Sequence, residues 1–396
     1  MFRDEIKKER LDYDSVHFVL NQLSNEDIYM LMNDYYEGMR LQEISDKYKI
    51  ELKVTNIVHY FPRYLTDLEC PYCQGYMTAA FLSRTNKEIL RIKNCKICGH
   101  SLDRNCRCET CKEIEGRQKR ALMTKKNDIF RKMVIAESEK EMIKENDLDM
   151  RQHLYLATLL HCGLTEDAKI IMPLEEIIDV IGPSDDFTIN MIKYLYNTNI
   201  IAINEQSPLG AFTYDLDSEI ITSYYVKKVM YRINIKPNDD DYGQMVKRLL
   251  YPDESLFDDE FCYDLWREIN LAEAMQYFKY HMDKVRFTTE IGEKTRRNFE
   301  RIVDHFSLSE IFYIISRSIA NGTKLYQSGE YSKAHAINIV KTDISNYSER
   351  VLANNWNLTG YNRDYNLPES MLSKILFNNI MKIDYLGFRN PPTKEL

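Results

Sequence analysis

Seven of the nine cysteines in this chain of 396 residues fall between Cys70 and Cys111. Thiols at that density either pair as disulfides or gather around a metal ion. Their spacing favours a metal. Cys70-Pro-Tyr-Cys73 and Cys95-Lys-Ile-Cys98 are two CxxC pairs separated by 21 residues, and a CxxC turn brings two thiolates to one ion. The segment between them is apolar at 76–82 and 89–92, with a polar turn at 85–88. That pattern predicts a hairpin that folds one pair onto the other.

His100, Cys106, Cys108 and Cys111 follow. The eight potential ligands fill two tetrahedral sets. Cys70, Cys73, Cys95 and Cys98 make one, and His100, Cys106, Cys108 and Cys111 the other. An interleaved division, with Cys95 and Cys98 joined to Cys108 and Cys111, has the same stoichiometry. The double-CxxC hairpin resembles a zinc ribbon over about 30 residues. The resemblance implies one or two Zn2+ ions in a structural role, folding a segment too small for a core of its own. A catalytic zinc keeps an open position and usually takes His or carboxylate ligands. An iron–sulfur cluster and a metal-free thiol cluster are the competing readings. Cys162 and Cys262 stand alone in helical contexts and are expected in the core.

Charge divides the chain. Residues 1–135 carry a net +4 and residues 136–396 a net −12. A phosphate backbone would be drawn to the first part and repelled by the second. No apolar run approaches the roughly 18 residues of a membrane span, and the N-terminus is charged, so a cytoplasmic protein is expected.

Within the first part, Ser24-Asn25-Glu26-Asp27 has the form of a capping box. Ile28, Leu31, Met32 and Tyr35 follow at helical spacing, and Gly38 is placed to stop the helix. Leu41, Ile44 and Tyr48 predict a second helix, and Val54, Ile57, Val58 and Phe61 a third, ended by Pro62. The stretch YYEGMRLQEISDKYKIELKVTNIVHYF resembles bacterial helix-turn-helix proteins. It departs from their pattern at Lys49, where the turn usually holds a small residue, and at Val54, an apolar position displaced by one. The resemblance implies double-stranded DNA as partner, with Lys53, Thr55, Asn56, His59 and Tyr60 facing the major groove. A trihelical packing or protein-contact unit is the alternative. A basic helical stretch follows the cysteines. Its Arg117, Lys119, Arg120, Lys125 and Lys126 are candidate phosphate contacts.

The whole reads as mainly α. A helix is expected over residues 1–23, a helix-turn-helix-like unit over 1–65, a small β metal module over 66–115, a connecting helix over 116–150 and a helical C-terminal domain over 151–396. Residues 170–214 run helix, helix, then an expected strand pair, Ile200–Ile203 with Ala211–Tyr214, an order that resembles a winged helix. The second of these helices is not basic, which favours packing or dimer contact. Trp266, Phe306, Ile311, Phe312, Ile315 and Trp356 are core candidates. The acidic runs at 239–241 and 258–260 are expected as solvated loops or helix N-termini, and His335 and Asn338 as polar contacts. No P-loop, GxGxxG, GxSxG or HExxH motif is present.

The expected function is DNA binding in a transcription regulator or a protein of phage and mobile-element conflict, including antiviral defence. The C-terminal domain would oligomerise or sense a protein partner. Two other readings stay open: a protein-binding scaffold or anti-phage effector, and a metal-dependent nuclease with a split site.

Overall fold

The computed structural model describes residues 6–52, 57–103 and 105–394. They are mainly α, with a few small sheets, and the chain divides into two compact units, Met1–Thr124 and Lys125–Leu396.

Among the described residues, the stretch 6–23 of the expected leading helix holds instead 3-10 turns and a two-residue strand, β1 (Leu11–Asp12). Leu11 pairs with Tyr64, so a long-range strand contact overrides local helical pattern. Helix α1 (Asn25–Tyr36) begins at the predicted capping box. The Asp27 N–H donates to Ser24 Oγ at 3.1 Å, and the Ser24 N–H to the Asp27 carboxylate at 3.3 Å. Gly38, at φ +104°, turns the chain into α2 (Leu41–Tyr48), which ends at Lys49 in the left-handed conformation. The expected third helix is not seen among the described residues. Ile57–Tyr60 form a single 3-10 turn, and the chain then enters strand β2 (Arg63–Glu69). Ile57, Val58, Tyr60 and Phe61 are all buried. The same spacing would also fit one face of an α-helix; Pro62 and the entry into β2 end the element after a single turn.

Strands β3 (Tyr76–Phe81) and β4 (Leu90–Cys95) complete an antiparallel sheet in the order β1-β2-β3-β4. Its core side is not separate from that of the helices. Tyr64, Ala79 and Phe81 pack in one cluster with Leu31, Tyr35, Ile44 and Ile57, so a single core crosses the boundary expected near residue 65. Helix α3 (Glu109–Ser138) follows.

In the second unit, α3 buries Ile129 and Phe130. Strand β5 (Ile143–Lys144) leads to α4 (Met150–Gly163), α5 (Ile178–Ile181) and α6 (Asp185–Asn197). Contrary to the pairing expected from the sequence, strand β6 (Ile201–Ile203) does not pair with the next strand. The neighbouring strands β7 (Phe212–Asp215) and β8 (Ile220–Tyr224) form a hairpin with each other, and β6 pairs with the later β9 (Tyr231–Ile233). Ile171 bridges both Leu164 and Tyr231, adding a third position beside β9. The hairpin lies on α3: the Phe130 and Phe212 rings are 5.0 Å apart and Lys132 pairs with Glu219 at 2.8 Å. Strand β10 (Ile235–Lys236) runs parallel to β5, and α7 (Tyr242–Leu250) packs on α4.

Helix α8 (Asp259–Lys284) belongs to two cores. Its first half puts Leu265, Trp266 and Ile269 into the cluster of α4, α6 and β6. Its second half puts Tyr277, Phe278 and Met282 into a bundle with α9 (Glu293–Val303), α10 (Leu308–Gln327) and α11 (Lys333–Ala353). The chain closes with α12 (Met371–Lys374), a π-helical turn and α13 (Leu386–Arg389). The Trp266 indole donates to the Gly387 carbonyl at 2.9 Å. Trp266, Phe306, Ile311, Phe312 and Ile315 are core residues as expected. Trp356 is not: it is 49% exposed, lying beside Tyr347 after the end of α11. No described helix is long and apolar enough to cross a membrane.

Candidate metal centres

The sheet of the first unit explains how distant cysteines meet. Met77 of β3 stands opposite Cys95 of β4, so the knuckle before β3 lies against the knuckle after β4. Each knuckle is closed by its own backbone. The Gln74 N–H returns to the Cys70 carbonyl at 3.0 Å and the Gly99 N–H to the Cys95 carbonyl at 3.1 Å. The residue after each second cysteine is left-handed, Gln74 at φ +59° and Gly99 at +69°.

The result is two clusters, divided as the simpler reading has it. In the first, the ligand atoms of Cys70, Cys73, Cys95 and Cys98 lie within 4.8 Å of one another; in the second, so do those of His100, Cys106, Cys108 and Cys111. The interleaved division does not occur. Tetrahedral coordination at a metal–sulfur distance of about 2.3 Å requires sulfur atoms about 3.8 Å apart. Cys70 and Cys98 Sγ are 3.6 Å apart, and Cys73 and Cys95 Sγ 3.3 Å. His100 Nδ1 is 3.8 Å from Cys108 Sγ and 3.3 Å from Cys111 Sγ. No disulfide joins any of them. The donor set and its spacing fit one ion per cluster.

Each cluster holds one thiol drawn toward thiolate and one held protonated. Burial opposes ionisation of Cys95, yet the backbone N–H groups of Cys98 and Ile97 and the Cys73 thiol bring it down to about 7. The Ile97 N–H donates to Cys95 Sγ at 3.4 Å. In the second cluster the Ser101 N–H donates to Cys106 Sγ at 3.1 Å and, with the Cys108 N–H, lowers Cys106 to about 6. Burial raises Cys98 to about 12 and Cys111 to about 11. The first cluster is the more enclosed, with Cys70 and Cys95 buried; in the second only His100 is buried.

The second cluster is fused to a helix. Cys108 immediately precedes α3 and Cys111 lies in its first turn. From Arg117 to Lys125 every residue of α3 is exposed, including Arg117, Lys119, Arg120 and Lys125. Lys119 pairs with Glu115 at 2.7 Å, whereas Arg117 and Arg120 make no ion pair among the described residues. Lys126 is half-buried and lies over the Tyr214 ring at 5.2 Å.

Of the residues expected to face a groove, Lys53, Thr55 and Asn56 lie outside the described residues. His59 is exposed. Tyr60 is corrected: it is buried and stacks on His17 at 4.3 Å, because the 3-10 turn points it inward. The acidic runs serve as helix starts. Asp241 caps α7 through the Gln244 N–H at 3.0 Å, and Asp258 caps α8 through the Phe261 N–H at 2.7 Å. His335 and Asn338 are both exposed on α11. Cys262 is a core residue as expected and Cys162 is half-buried against the same cluster; burial pushes both thiols up to about 11.

Sequence reasoning missed the residues around the ligands. Lys96, inside the second knuckle, pairs with buried Asp12 at 2.7 Å, which ties β1 to the cluster. Tyr72, inside the first knuckle, reaches the second cluster: its ring meets that of His100 edge-on at 4.6 Å. Position within a CxxC was the available signal for both. No family model matches the chain, and no curated protein or solved structure is significantly similar to it.

Proposed function

We propose that the chain is a zinc-stabilised nucleic-acid-binding protein whose contact surface for double-stranded DNA is the exposed segment of α3. Zinc is the ion that sets of four thiolates, or of three thiolates and one imidazole, suit best, and closed four-ligand sets are structural. The observation that carries the reading is the pair Arg117 and Arg120. They stand one turn apart, exposed and without ion-pair partners among the described residues, on a helix whose first turn holds the ligand Cys111. Guanidinium groups free of carboxylates are suited to bidentate phosphate contacts. The net positive charge of residues 1–135 adds a favourable field. His59 and the undescribed Lys53, Thr55 and Asn56 remain the proposed base contacts, and Tyr60 leaves that set. We read such binding as serving transcription regulation or phage and mobile-element conflict.

The test is a mobility shift of the full chain on duplex DNA over a salt series. Each phosphate contact contributes a slope of about −0.9 in log K against log salt. Arg117→Gln with Arg120→Gln is expected to weaken binding and reduce the slope by about 2. Binding that keeps its slope in this variant would overturn the assignment.

A second reading concerns the acidic unit. Between Ala353 and Met371 the chain has neither helix nor strand, and a loop of that length without secondary structure is usually functional. It is fastened by the Tyr361 N–H to the Ser309 carbonyl at 2.8 Å and by Asp364 to Lys284 at 2.9 Å, while Trp356, Tyr361 and Tyr365 stay exposed. Aromatic rings so held suit a protein partner or a second copy. Trp356→Ala with Tyr365→Ala is expected to abolish crosslinking to that partner and to leave DNA binding intact.

A further inference from the structure

Resting on the reading of the two clusters as zinc centres, we propose that Tyr72 couples them, as a positioning residue that makes the histidine-containing second centre hold its ion more tightly when the four-thiolate first centre is filled.

Tyr72 lies between two ligands of the first centre, Cys70 and Cys73, so a filled first centre fixes its backbone. Its side chain serves the second. The ring meets the His100 imidazole at 4.6 Å with an interplanar angle of 86°, which restrains the imidazole while Nδ1 stays directed at Cys108 and Cys111. Groups of this kind around a metal set ligand orientation, and their loss typically costs 10–100-fold in affinity.

The backbone supplies a parallel link. The Cys95 N–H donates to the His100 carbonyl at 2.7 Å, Asn94 bridges Ser101, and the Ser101 N–H reaches Cys106 Sγ. The loop between Cys98 and Ser101 therefore belongs to both centres. The second centre needs such support more, since all three of its thiols are only half-buried. Coupling of this kind is reciprocal, so the second ion tightens the first by the same factor.

The test uses the full chain loaded with zinc, and release to a chromophoric chelator is followed. Cobalt substitution assigns each phase, because four-thiolate and three-thiolate-plus-imidazole sites differ in their visible spectra. Tyr72→Ala keeps all eight ligands and is expected to speed release from the second centre about 10-fold. Tyr72→Phe, which keeps the ring against His100, should release at the parent's rate. Cys73→Ser, which disables the first centre, should weaken the second by a similar factor, and adding Tyr72→Ala should weaken it no further. Unchanged release from the second centre in Tyr72→Ala overturns the coupling, as do losses that multiply in the double variant. A chain that retains no metal overturns the zinc reading itself, a separate result.

Discussion

Gln22 donates its side-chain amide to the carbonyl of Lys49 at 3.2 Å, holding in place a lysine whose φ is +53°. This is the C-terminal stop of α2, where the left-handed conformation favours glycine over any residue with a Cβ. The Lys49 side chain makes no hydrogen bond or ion pair among the described residues. Lys49→Gly is therefore expected to stabilise the first unit by about 1 kcal/mol, read as slower hydrogen exchange of α1 and α2 amides. Faster exchange would show that the lysine side chain contributes more than its backbone strain costs.

Two zinc equivalents per chain are expected in purified protein by elemental analysis. Cys73→Ser and Cys108→Ser should each lose one. A strong chelator should strip exchange protection from the knuckle amides of Gln74 and Gly99, because the ligands, not an extended core, join the two knuckles, while Ala79 and Phe81 of β3 stay protected by the helical core. Protection in the second unit, at α10 for example, should stay.

Acid should destabilise the second unit in two stages. Burial lowers the pKa of His153 below its usual 6.5, against the pull of Glu145 and Asp149, and burial followed by Lys284 lowers His281. A histidine lowered in the folded state binds its proton more readily unfolded, so stability is complete above about pH 6.5 and declines as pH falls toward the folded value. Glu145 adds the second stage. Arg248 grips it at 2.6 and 2.8 Å and holds its carboxyl below the usual value of 4.5. Its contribution is present above that value and lost below it. Denaturant midpoints measured from about pH 8 to about pH 3 should fall in both ranges, and His153→Gln should reduce the first fall to the share left by His281.

The site where Trp266 meets Gly387 should tolerate little change. A Cβ on Gly387 would lie within 2.5–2.7 Å of the Phe377 ring. Gly387→Ala is expected to cost about 1–3 kcal/mol by overpacking, and Trp266→Ala about 3–5 kcal/mol by leaving a cavity. Thermal unfolding of the two single variants and the double variant measures both. The double variant should fall short of the sum, since removing the indole gives Phe377, 5.7 Å from it, room to move.

The metal ligands were legible in the sequence because coordination needs specific atoms at short spacing, and that requirement survives in one dimension. The box at Ser24 and Asp27 was legible for the same reason. What failed was decided at long range. Leu11 looks helical until Tyr64 is beside it, and Ile201 finds Ile233 only because a second hairpin closes between them. Over residues 57–60 the expected third helix gives way to a single 3-10 turn before β2, a change that apolar spacing could not reveal because the buried positions there fit a helical face as well. Tyr72 could not be assigned to His100 from spacing, since 28 residues and a folded sheet separate them.

Helix α8 runs unbroken through residues 259–284 while its two halves pack into different hydrophobic clusters. No peptide bond exists at which these clusters could be severed without exposing the interior of a continuous rod. Attempts to express either half alone should give insoluble material, and melting of the acidic unit should occur as one transition, with damage at Phe299 felt as far away as Leu156.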